Sequence, residues 1–175
     1  MNRSVITVGI LTVSDRSFRG EREDRGGPAL KSVAGRMGWR IEAEAVVPDE
    51  IGKIQKAILD WTDAGEIDLI LTTGGTGIGP RDVTPEATRS LLEKELPGVM
   101  ERVRFQSAKK TPLAALSRAL AGVRRKSLIV NFPGNPEGAK ESLEMILDVI
   151  PHAIEMIRGK DTSHENDGEH LHADA

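Results

Sequence analysis

The sequence predicts an α/β fold with a mostly parallel sheet covered by helices on both faces. Three observations support this prediction. Apolar runs with strand character alternate with helical patterns along the chain. Pro and Gly lie where helices would begin and end, and polar, glycine-rich segments follow the strand runs, where open α/β sheets bind ligands. The 175 residues, 38% hydrophobic and 29% charged, fit one globular domain with a sizeable core.

Two βα units are predicted in the first part of the chain. An apolar, β-branched run over residues 5–13 predicts the first strand, and PALKSVAGRMG predicts a helix with Pro28 in its first turn and Gly38 at its end. RIEAEAVV alternates polar and apolar residues, which is typical of a strand. Residues 48–65 then predict a second helix, with Asp49 as its N-cap and Gly65 at its end.

A third unit combines the strand IDLILTT with a helix in TPEATRSLLEKEL, which Thr84 caps and in which Pro85 takes the first position. Beyond it, GVMERVRFQSAKK and PLAALSRAL have helical patterns, and GVRRKSLIVNF predicts one or two strands around a basic turn. Residues 137–158 predict a long final helix that Pro151 kinks. Three βα units in succession indicate a parallel sheet.

The chain is predicted to form one domain over residues 1–160, followed by a polar, acidic and disordered tail over residues 161–175. Five of the 27 acidic residues and none of the 24 Lys and Arg residues lie in that tail, so the domain itself is nearly neutral. Neither this balance nor the aromatic content of 3% fits a nucleic-acid partner. Metal binding by His164, His170 and His172 of the tail is the alternative to simple disorder.

The amino-terminal apolar run predicts a buried strand and not a signal peptide, because it is rich in Val, Ile and Thr and lacks a small-residue cleavage site. No run approaches the roughly 18 apolar residues that would span a bilayer. We therefore expect a cytoplasmic protein with no membrane partner. The absence of cysteine excludes disulfides and cysteine-ligated metal sites.

Candidate site residues follow the four strands whose carboxyl ends are expected to meet at one edge of the sheet. They are Ser14 and Asp15 after the first strand, Asp49 after the second, Gly74, Gly75, Thr76, Gly77, Arg81 and Asp82 after the third, and Pro133, Gly134 and Asn135 after SLIVNF. The glycine-rich segment LTTGGTGIGPRD is not a Walker loop, because Pro80 and Arg81 follow Gly79. It is not a dinucleotide fingerprint either, because Pro80 occupies the place of the third glycine.

Glycine amides near a helix start suit an anion such as a phosphate, and a tight turn without a ligand is the alternative. Arg81 suits a phosphate or carboxylate, or else pairs with Asp82. Asp49 and Asp82 are each suited to a helix start, but together with Asp15 beside a phosphate they suit Mg²⁺. Ser14 either binds a ligand or only completes the first strand.

Six motifs stand out along the chain: TVSDR, DRGGPAL, VPDE, LTTGGTGIGPRDVTPEAT, LSR and NFPGNP. They resemble the MogA and MoaB family of molybdenum cofactor biosynthesis, also found as the G domains of gephyrin, over roughly residues 5–158. The resemblance implies a three-layer α/β/α fold and a homotrimer that contacts other enzymes of molybdenum cofactor synthesis. It also implies Mg²⁺-dependent transfer of AMP from ATP to the terminal phosphate of molybdopterin, with release of pyrophosphate.

Carried over by position, the resemblance implies that Asp49 and Asp82 are the catalytic acids, and we expect the same two carboxylates to be the metal ligands. It implies nucleotide and pterin contacts from residues 74–77, Ser117, Pro133, Gly134 and Asn135. Two alternatives stay open. A MoaB-type protein of the same fold would bind a pterin or nucleotide, or serve as a scaffold, without turnover. The second alternative is a different phosphotransferase on a doubly wound sheet, and the missing Walker lysine weakens this alternative.

Overall fold

Six strands form one sheet in the computed structural model, which describes residues 5–159. In chain order they are β1 (Thr7–Val13), β2 (Arg40–Val47), β3 (Leu69–Thr73), β4 (Lys94–Glu95), β5 (Ala121–Arg124) and β6 (Ser127–Phe132). Across the sheet they run in the order β2-β1-β3-β6-β5-β4. Strands β2, β1, β3 and β6 are parallel to one another, whereas β5 pairs antiparallel with both β6 and β4.

Seven α-helices connect and cover the strands of the described part of the chain. They are α1 (Asp15–Phe18), α2 (Gly26–Arg36), α3 (Ile51–Ala64), α4 (Thr84–Arg89), α5 (Pro97–Ala108), α6 (Pro136–Glu144) and α7 (Ile150–Ile157). A short 3-10 helix, Pro112–Leu116, follows α5. No helix within residues 5–159 is long and apolar enough to cross a membrane. The predicted tail and its histidines lie outside the described residues.

Each face of the sheet packs against its own set of helices. Side chains alternate between the faces along a strand, so Ile10 of β1 joins one core cluster and its neighbour Leu11 joins the other. The first cluster includes side chains of α2, α5, α6 and α7, and the second includes those of α3 and α4. The predicted three-layer α/β/α fold with a mostly parallel sheet is therefore confirmed.

Two predicted helix caps are wrong. Glu50, and not Asp49, is the N-cap residue of α3, and the side chain of Asp49 bonds to another loop. Thr84 is already inside α4, where its hydroxyl donates a hydrogen bond to the carbonyl of Gly74 at 2.9 Å. Both side chains are therefore used to join loops at the carboxyl edge of the sheet.

Three predicted helices are shorter than expected. The one that begins near Thr84 ends at Arg89, because Glu93 and Leu96 donate backbone hydrogen bonds to β5. The predicted helix over residues 112–120 is only the 3-10 helix. The predicted final helix is two helices, α6 and α7, and Pro151 lies in the first turn of α7, where no amide hydrogen bond is lost.

Candidate active site

Four loops meet beyond the carboxyl ends of the parallel strands β1, β2, β3 and β6. The Ser14 amide donates to the carbonyl of Val47 at 2.9 Å, which joins the loops after β1 and β2. The Gly74 amide donates to the carbonyl of Phe132 at 3.1 Å, which joins the loops after β3 and β6. The predicted meeting of strand ends at one edge is therefore confirmed.

The glycine loop, residues 74–82, follows β3 and needs its first two glycines for steric reasons. Gly74 and Gly75 have φ values of +103° and +63°, a backbone region that favours glycine. A Cβ at Gly74 would overlap the carbonyl oxygen of Val13, and one at Gly75 would overlap the hydroxyl of Thr84. The loop therefore lies directly against the ends of β1 and α4.

Asp82 folds its side chain back onto the same loop. Its Oδ2 accepts a hydrogen bond from the Gly79 amide at 2.8 Å. A Cβ at Gly77 or Gly79 would lie 2.8 or 2.9 Å from this oxygen. Bare backbone at both positions thus lets the carboxylate of Asp82 sit at the centre of the loop.

Asp15 and Asp49 are bonded to each other across two loops. The Asp15 amide donates to Asp49 Oδ2 at 2.8 Å, and the Asp49 amide donates to Asp15 Oδ1 at 3.1 Å. Arg81 donates from Nε and Nη2 to the two carboxylate oxygens of Asp15, at 2.9 and 3.0 Å. Arg81 therefore pairs with Asp15, and the alternative pairing with Asp82 is not the one formed.

The surroundings of Asp15 and Asp49 shift the pKa values of their carboxyl groups in opposite directions. Hydrogen bonding to Arg81 holds the pKa of Asp15 below its usual value. Burial raises the pKa of Asp49, and the negative charges of Asp15 and Asp82 raise it further. Asp49 Oδ1 also lies 3.1 Å from where a Cβ at Gly75 would be, so it faces the glycine loop.

Of the three predicted carboxylates, only Asp49 and Asp82 border a cavity. Among residues 5–159, no group of three or more Asp, Glu, His or Cys side chains is arranged to hold a metal ion. Asp15 does not complete such a group, since Arg81 occupies both of its oxygens. Mg²⁺ commonly binds through one or two protein carboxylates and takes its other oxygens from substrate phosphates and water.

Two cavities meet at this edge of the sheet. The apolar cavity, of about 820 Å³, has walls from α5 and the 3-10 helix, including Met100, Val103 and Leu113, and from Ser117 just after that helix. The polar cavity, of about 420 Å³, has walls that include Ser14, Ser17, Asp24 and Asp49. Four residues border both cavities: Gly75, Asp82, Gly134 and Asn135. Asp82 therefore lies at the junction between the two cavities.

Every predicted site residue lies on this edge, in one of three surroundings. The four residues named above border both cavities. Asp15 and Arg81 form the ion pair beside the cavities, and each remaining residue borders one cavity. Pro133, Thr76, Gly77 and Ser117 border the apolar cavity, while Ser14, Asp49 and Gly74 border the polar one.

Two of these residues also cap helices. Ser14 accepts a hydrogen bond from the Ser17 amide at 3.2 Å at the start of α1, so it completes a turn as well as lining a cavity. Asn135 caps α6 by accepting from the Gly138 amide at 2.9 Å. Both caps therefore hold a helix start against the site.

Sequence reasoning missed two residues that support the site. Asp24 accepts hydrogen bonds from the Thr12 hydroxyl at 2.8 Å and the Gly27 amide at 3.1 Å, which fixes the start of α2 against β1. Its position just before GGPAL was a signal for a helix-start acid. Arg118 bonds to the glycine loop from 41 residues away, and only its place in the LSR motif pointed to it.

Comparison with known proteins identifies the family. A family model described as a probable molybdopterin binding domain matches residues 9–152. The chain is 44% identical over 159 residues to the molybdenum cofactor synthesis protein cinnamon of Drosophila melanogaster, a match that covers 90% of this chain and 26% of that protein. It is 41% identical over 159 residues to the molybdopterin adenylyltransferase of Helicobacter pylori strain J99, a match that covers 88% of this chain and 89% of that protein.

A solved structure has the same fold. The molybdopterin biosynthesis enzyme MoaB of Thermus thermophilus superposes with a TM-score of 0.84 and 52% sequence identity, over 89% of this chain and 98% of that one. The residues that the family model matches include the four loops of the site. The chain therefore belongs to the MogA and MoaB family of molybdenum cofactor biosynthesis.

Proposed function

We propose that this protein is a molybdopterin adenylyltransferase that transfers AMP from ATP to the terminal phosphate of molybdopterin and releases pyrophosphate. The observation that carries the proposal is the junction of two cavities at Asp82 and Gly75. A transfer between two bound molecules needs two sites whose reacting groups meet. The name of the Helicobacter pylori relative supports the same reaction.

The apolar cavity is the proposed pterin site. Its walls from α5 and the 3-10 helix offer apolar surface to a heterocycle, and Ser117 supplies a polar contact. The polar cavity is the proposed nucleotide site, because hydroxyls of Ser14 and Ser17 and the carboxylate of Asp49 line it. In this arrangement the phosphates of both substrates lie at the shared border.

Adenylyl transfer at this junction needs positioning more than acid or base catalysis. The terminal phosphate of molybdopterin is already ionised at neutral pH, so its oxygen attacks the α-phosphorus of ATP without a strong general base. A new P–O bond forms as the bond to the β-phosphate oxygen breaks, and pyrophosphate leaves. The backbone amides of Gly75, Thr76 and Gly77 are proposed to donate hydrogen bonds to the phosphates.

Asp49 and Asp82 are the proposed Mg²⁺ ligands. Their chemistry fits, since the raised pKa of Asp49 reflects burial and negative neighbours that a bound cation would offset. Bound Mg²⁺ would neutralise the negative charge that develops on the phosphates. Arg81 fixes Asp15 and, through it, the backbone of Asp49. A direct phosphate contact by Arg81 stays a prediction, because Asp15 occupies its guanidinium.

Turnover separates this proposal from a scaffold function. The protein is incubated with Mg²⁺ and with ATP, molybdopterin or both, and pyrophosphate and the adenylylated pterin are measured. We expect both products only when both substrates are present. Saturable binding of either substrate without pyrophosphate release would instead favour a non-catalytic binding protein.

A homotrimer in the cytoplasm is the proposed assembly, on the ground of family membership. Phe105, which borders neither cavity, is 71% exposed in the single chain and is a candidate for burial between copies. Light scattering across micromolar concentrations should give three times the 19.0 kDa chain mass. A monomer mass throughout that range would refute the trimer.

A further inference from the structure

Arg118 makes four polar contacts with a short stretch of the chain around the glycine loop. It lies between the 3-10 helix and β5. Its Nε donates to the carbonyl of Gly77 at 2.6 Å, and its Nη2 donates to the carbonyl of Asp82 at 2.7 Å. Its Nη1 pairs with the carboxylate of Glu86 in α4. Its own amide donates to the carbonyl of Thr76 at 3.0 Å.

The two carbonyls are the two ends of the exposed part of the glycine loop. Residues 78–81 between them are exposed, so few packing contacts hold the loop in shape. A guanidinium is planar and rigid, and two of its donors fix the separation of the Gly77 and Asp82 carbonyls. Because the Asp82 carboxylate is bonded within the same loop, this separation also sets where that carboxylate points.

Glu86 holds the guanidinium at its third nitrogen, Nη1. Burial raises the pKa of Glu86, but the hydrogen bond and the charge of Arg118, together with a backbone hydrogen bond and the charge of Arg89, leave the pKa below its usual value. The Arg118 side chain is 35% exposed, so it is partly withdrawn from solvent. Charge-assisted hydrogen bonds in such surroundings are stronger than those between neutral groups.

The backbone of Arg118 connects the same loop to the wall of the apolar cavity. Ser117 immediately precedes it and borders that cavity. The bond between the Arg118 amide and the Thr76 carbonyl therefore places Ser117 relative to the glycine loop. One residue thus relates a wall of the proposed pterin site to the carboxylate at the junction.

We infer that Arg118 is a positioning residue for adenylyl transfer: it fixes the glycine loop, the Asp82 carboxylate and Ser117 relative to one another across the junction of the two cavities. This inference rests on the proposed function. Arg118 borders neither cavity itself. It acts through the backbone carbonyls that it holds.

Two substitutions and a matched control test the inference. Arg118→Lys keeps the charge but offers no planar pair of donors, and Arg118→Met removes the donors. Arg89→Lys is the control, because Arg89 of α4 also forms a two-bonded ion pair, with Glu95, at 3.0 and 3.2 Å. That pair makes no contact with the glycine loop among the described residues.

The kinetic arm compares kcat with KM for both substrates. We expect Arg118→Met to lower kcat about 100-fold and Arg118→Lys to restore part of it, since small misplacements of reacting groups have effects of this size. KM should change less than about threefold. A wild-type kcat in Arg118→Lys, or an equal loss in Arg89→Lys, would overturn the inference. If Arg118→Met does not fold, the Lys variant carries the test.

The second arm does not depend on turnover. Amide hydrogen exchange, followed by mass spectrometry, should become about tenfold faster across residues 76–82 in Arg118→Lys and not in Arg89→Lys. Unchanged exchange in this loop would overturn the positioning role, whatever the kinetics. If the wild-type protein makes no product but the loop responds, the proposed function fails while the control of the loop by Arg118 stands.

Discussion

The carboxylate of Asp82 lies where the two cavities join, and it accepts a hydrogen bond from a glycine amide of its own loop. Asn at this position would keep the size of the side chain and an oxygen that accepts from Gly79. A role limited to closing the loop would therefore survive the change. A role in organising Mg²⁺ or phosphate charge would not.

We expect Asp82→Asn to lose about 100-fold in adenylyl transfer, equivalent to about 2.7 kcal/mol of transition-state stabilisation. The free energy of unfolding should change by no more than about 1 kcal/mol. Single-turnover conversion of ATP and molybdopterin measures the first quantity and denaturant unfolding the second. Asp49→Asn is measured alongside as the other proposed ligand. A near wild-type rate in Asp82→Asn would show that the carboxylate only closes the loop.

The backbone of Gly75 is a second feature at this scale. A Cβ there would meet Thr84 and approach Asp49 to 3.1 Å, at a φ of +63°. We expect Gly75→Ala to destabilise the fold by about 1–3 kcal/mol and to lower transfer, because Gly75 borders both cavities and Asp49 borders the polar one. Thermal unfolding and the transfer assay give the two values.

Gly35 provides the matched control for that change. It lies in the exposed part of α2, and apart from its chain neighbours and the backbone of its own helix nothing in the described structure is within 4 Å of where its Cβ would be. Gly35→Ala should therefore stabilise the protein by about 0.5–1 kcal/mol and leave transfer unchanged. Equal effects of the two substitutions would mean that the glycine loop tolerates side chains.

At the level of single elements, α6 begins inside the site. Asn135 accepts from the Gly138 amide and also borders both cavities. We expect Asn135→Ala to reduce the free energy of unfolding by about 1 kcal/mol through loss of the cap. Asn135→Asp should keep the cap and leave this free energy unchanged. Denaturant unfolding tests this pair of variants. Equal stability of the Ala and wild-type proteins would mean that the cap contributes nothing measurable.

The sequence predicted those elements that local patterns determine. Strands β1, β2 and β3 and helices α2 and α3 follow from hydrophobic periodicity and from glycines such as Gly38 and Gly65, both with φ of +70°. The helix beyond Arg89 was predicted wrongly because residues 94–95 pair with β5. Such pairing with a distant strand overrides helical propensity and leaves no local signal.

The edge on which the site lies was predictable for a topological reason, since parallel strands bring their carboxyl ends together. The partners of individual side chains were not. Arg81 bonds to Asp15 across 66 residues, and Arg118 bonds to Gly77 across 41. Charge and spacing in the sequence do not identify which of many acidic or carbonyl groups an arginine will contact. The partner is determined by which loops lie next to each other in the folded structure. The individual roles of the site residues stay predictions.

At the scale of the whole molecule, one buried ion pair ties both ends of the described chain to the sheet. Arg158, after α7, donates to both carboxylate oxygens of Asp68, at 3.1 and 2.6 Å. Asp68 also accepts from the amide and hydroxyl of Thr7, at 3.0 and 2.7 Å. Burial raises the pKa of Asp68, but these hydrogen bonds outweigh it and leave the pKa lowered.

We expect Asp68→Ala to reduce the free energy of unfolding at pH 7 by about 3 kcal/mol, because Arg158 would be left without this buried partner. A lowered folded-state pKa gives a stabilisation that is present above the unfolded pKa of about 3.9 and is lost as the pH falls through the folded value. The difference between wild type and variant should therefore shrink below about pH 4.

Denaturant unfolding at a series of pH values measures that difference. Asp148→Ala is the control, since Asp148 forms an exposed pair with Arg102 at 2.9 Å and should have a much smaller effect. A wild-type to Asp68→Ala difference that grows as the solution is acidified would contradict the assigned role of the ion pair.

The same ion pair also bears on how this domain is joined to others. Arg158 Nη2 donates to the carbonyl of Val5 at 3.4 Å, so the two ends of the described chain lie side by side near the amino ends of the strands. The two cavities lie at the opposite edge. The chain therefore enters the described domain at residue 5 and leaves it at residue 159 at two neighbouring points, both away from the candidate site. This geometry suits a domain that is joined to other domains in one polypeptide. The Drosophila protein cinnamon, of which the matched region is 26%, contains a similar region within a much longer chain.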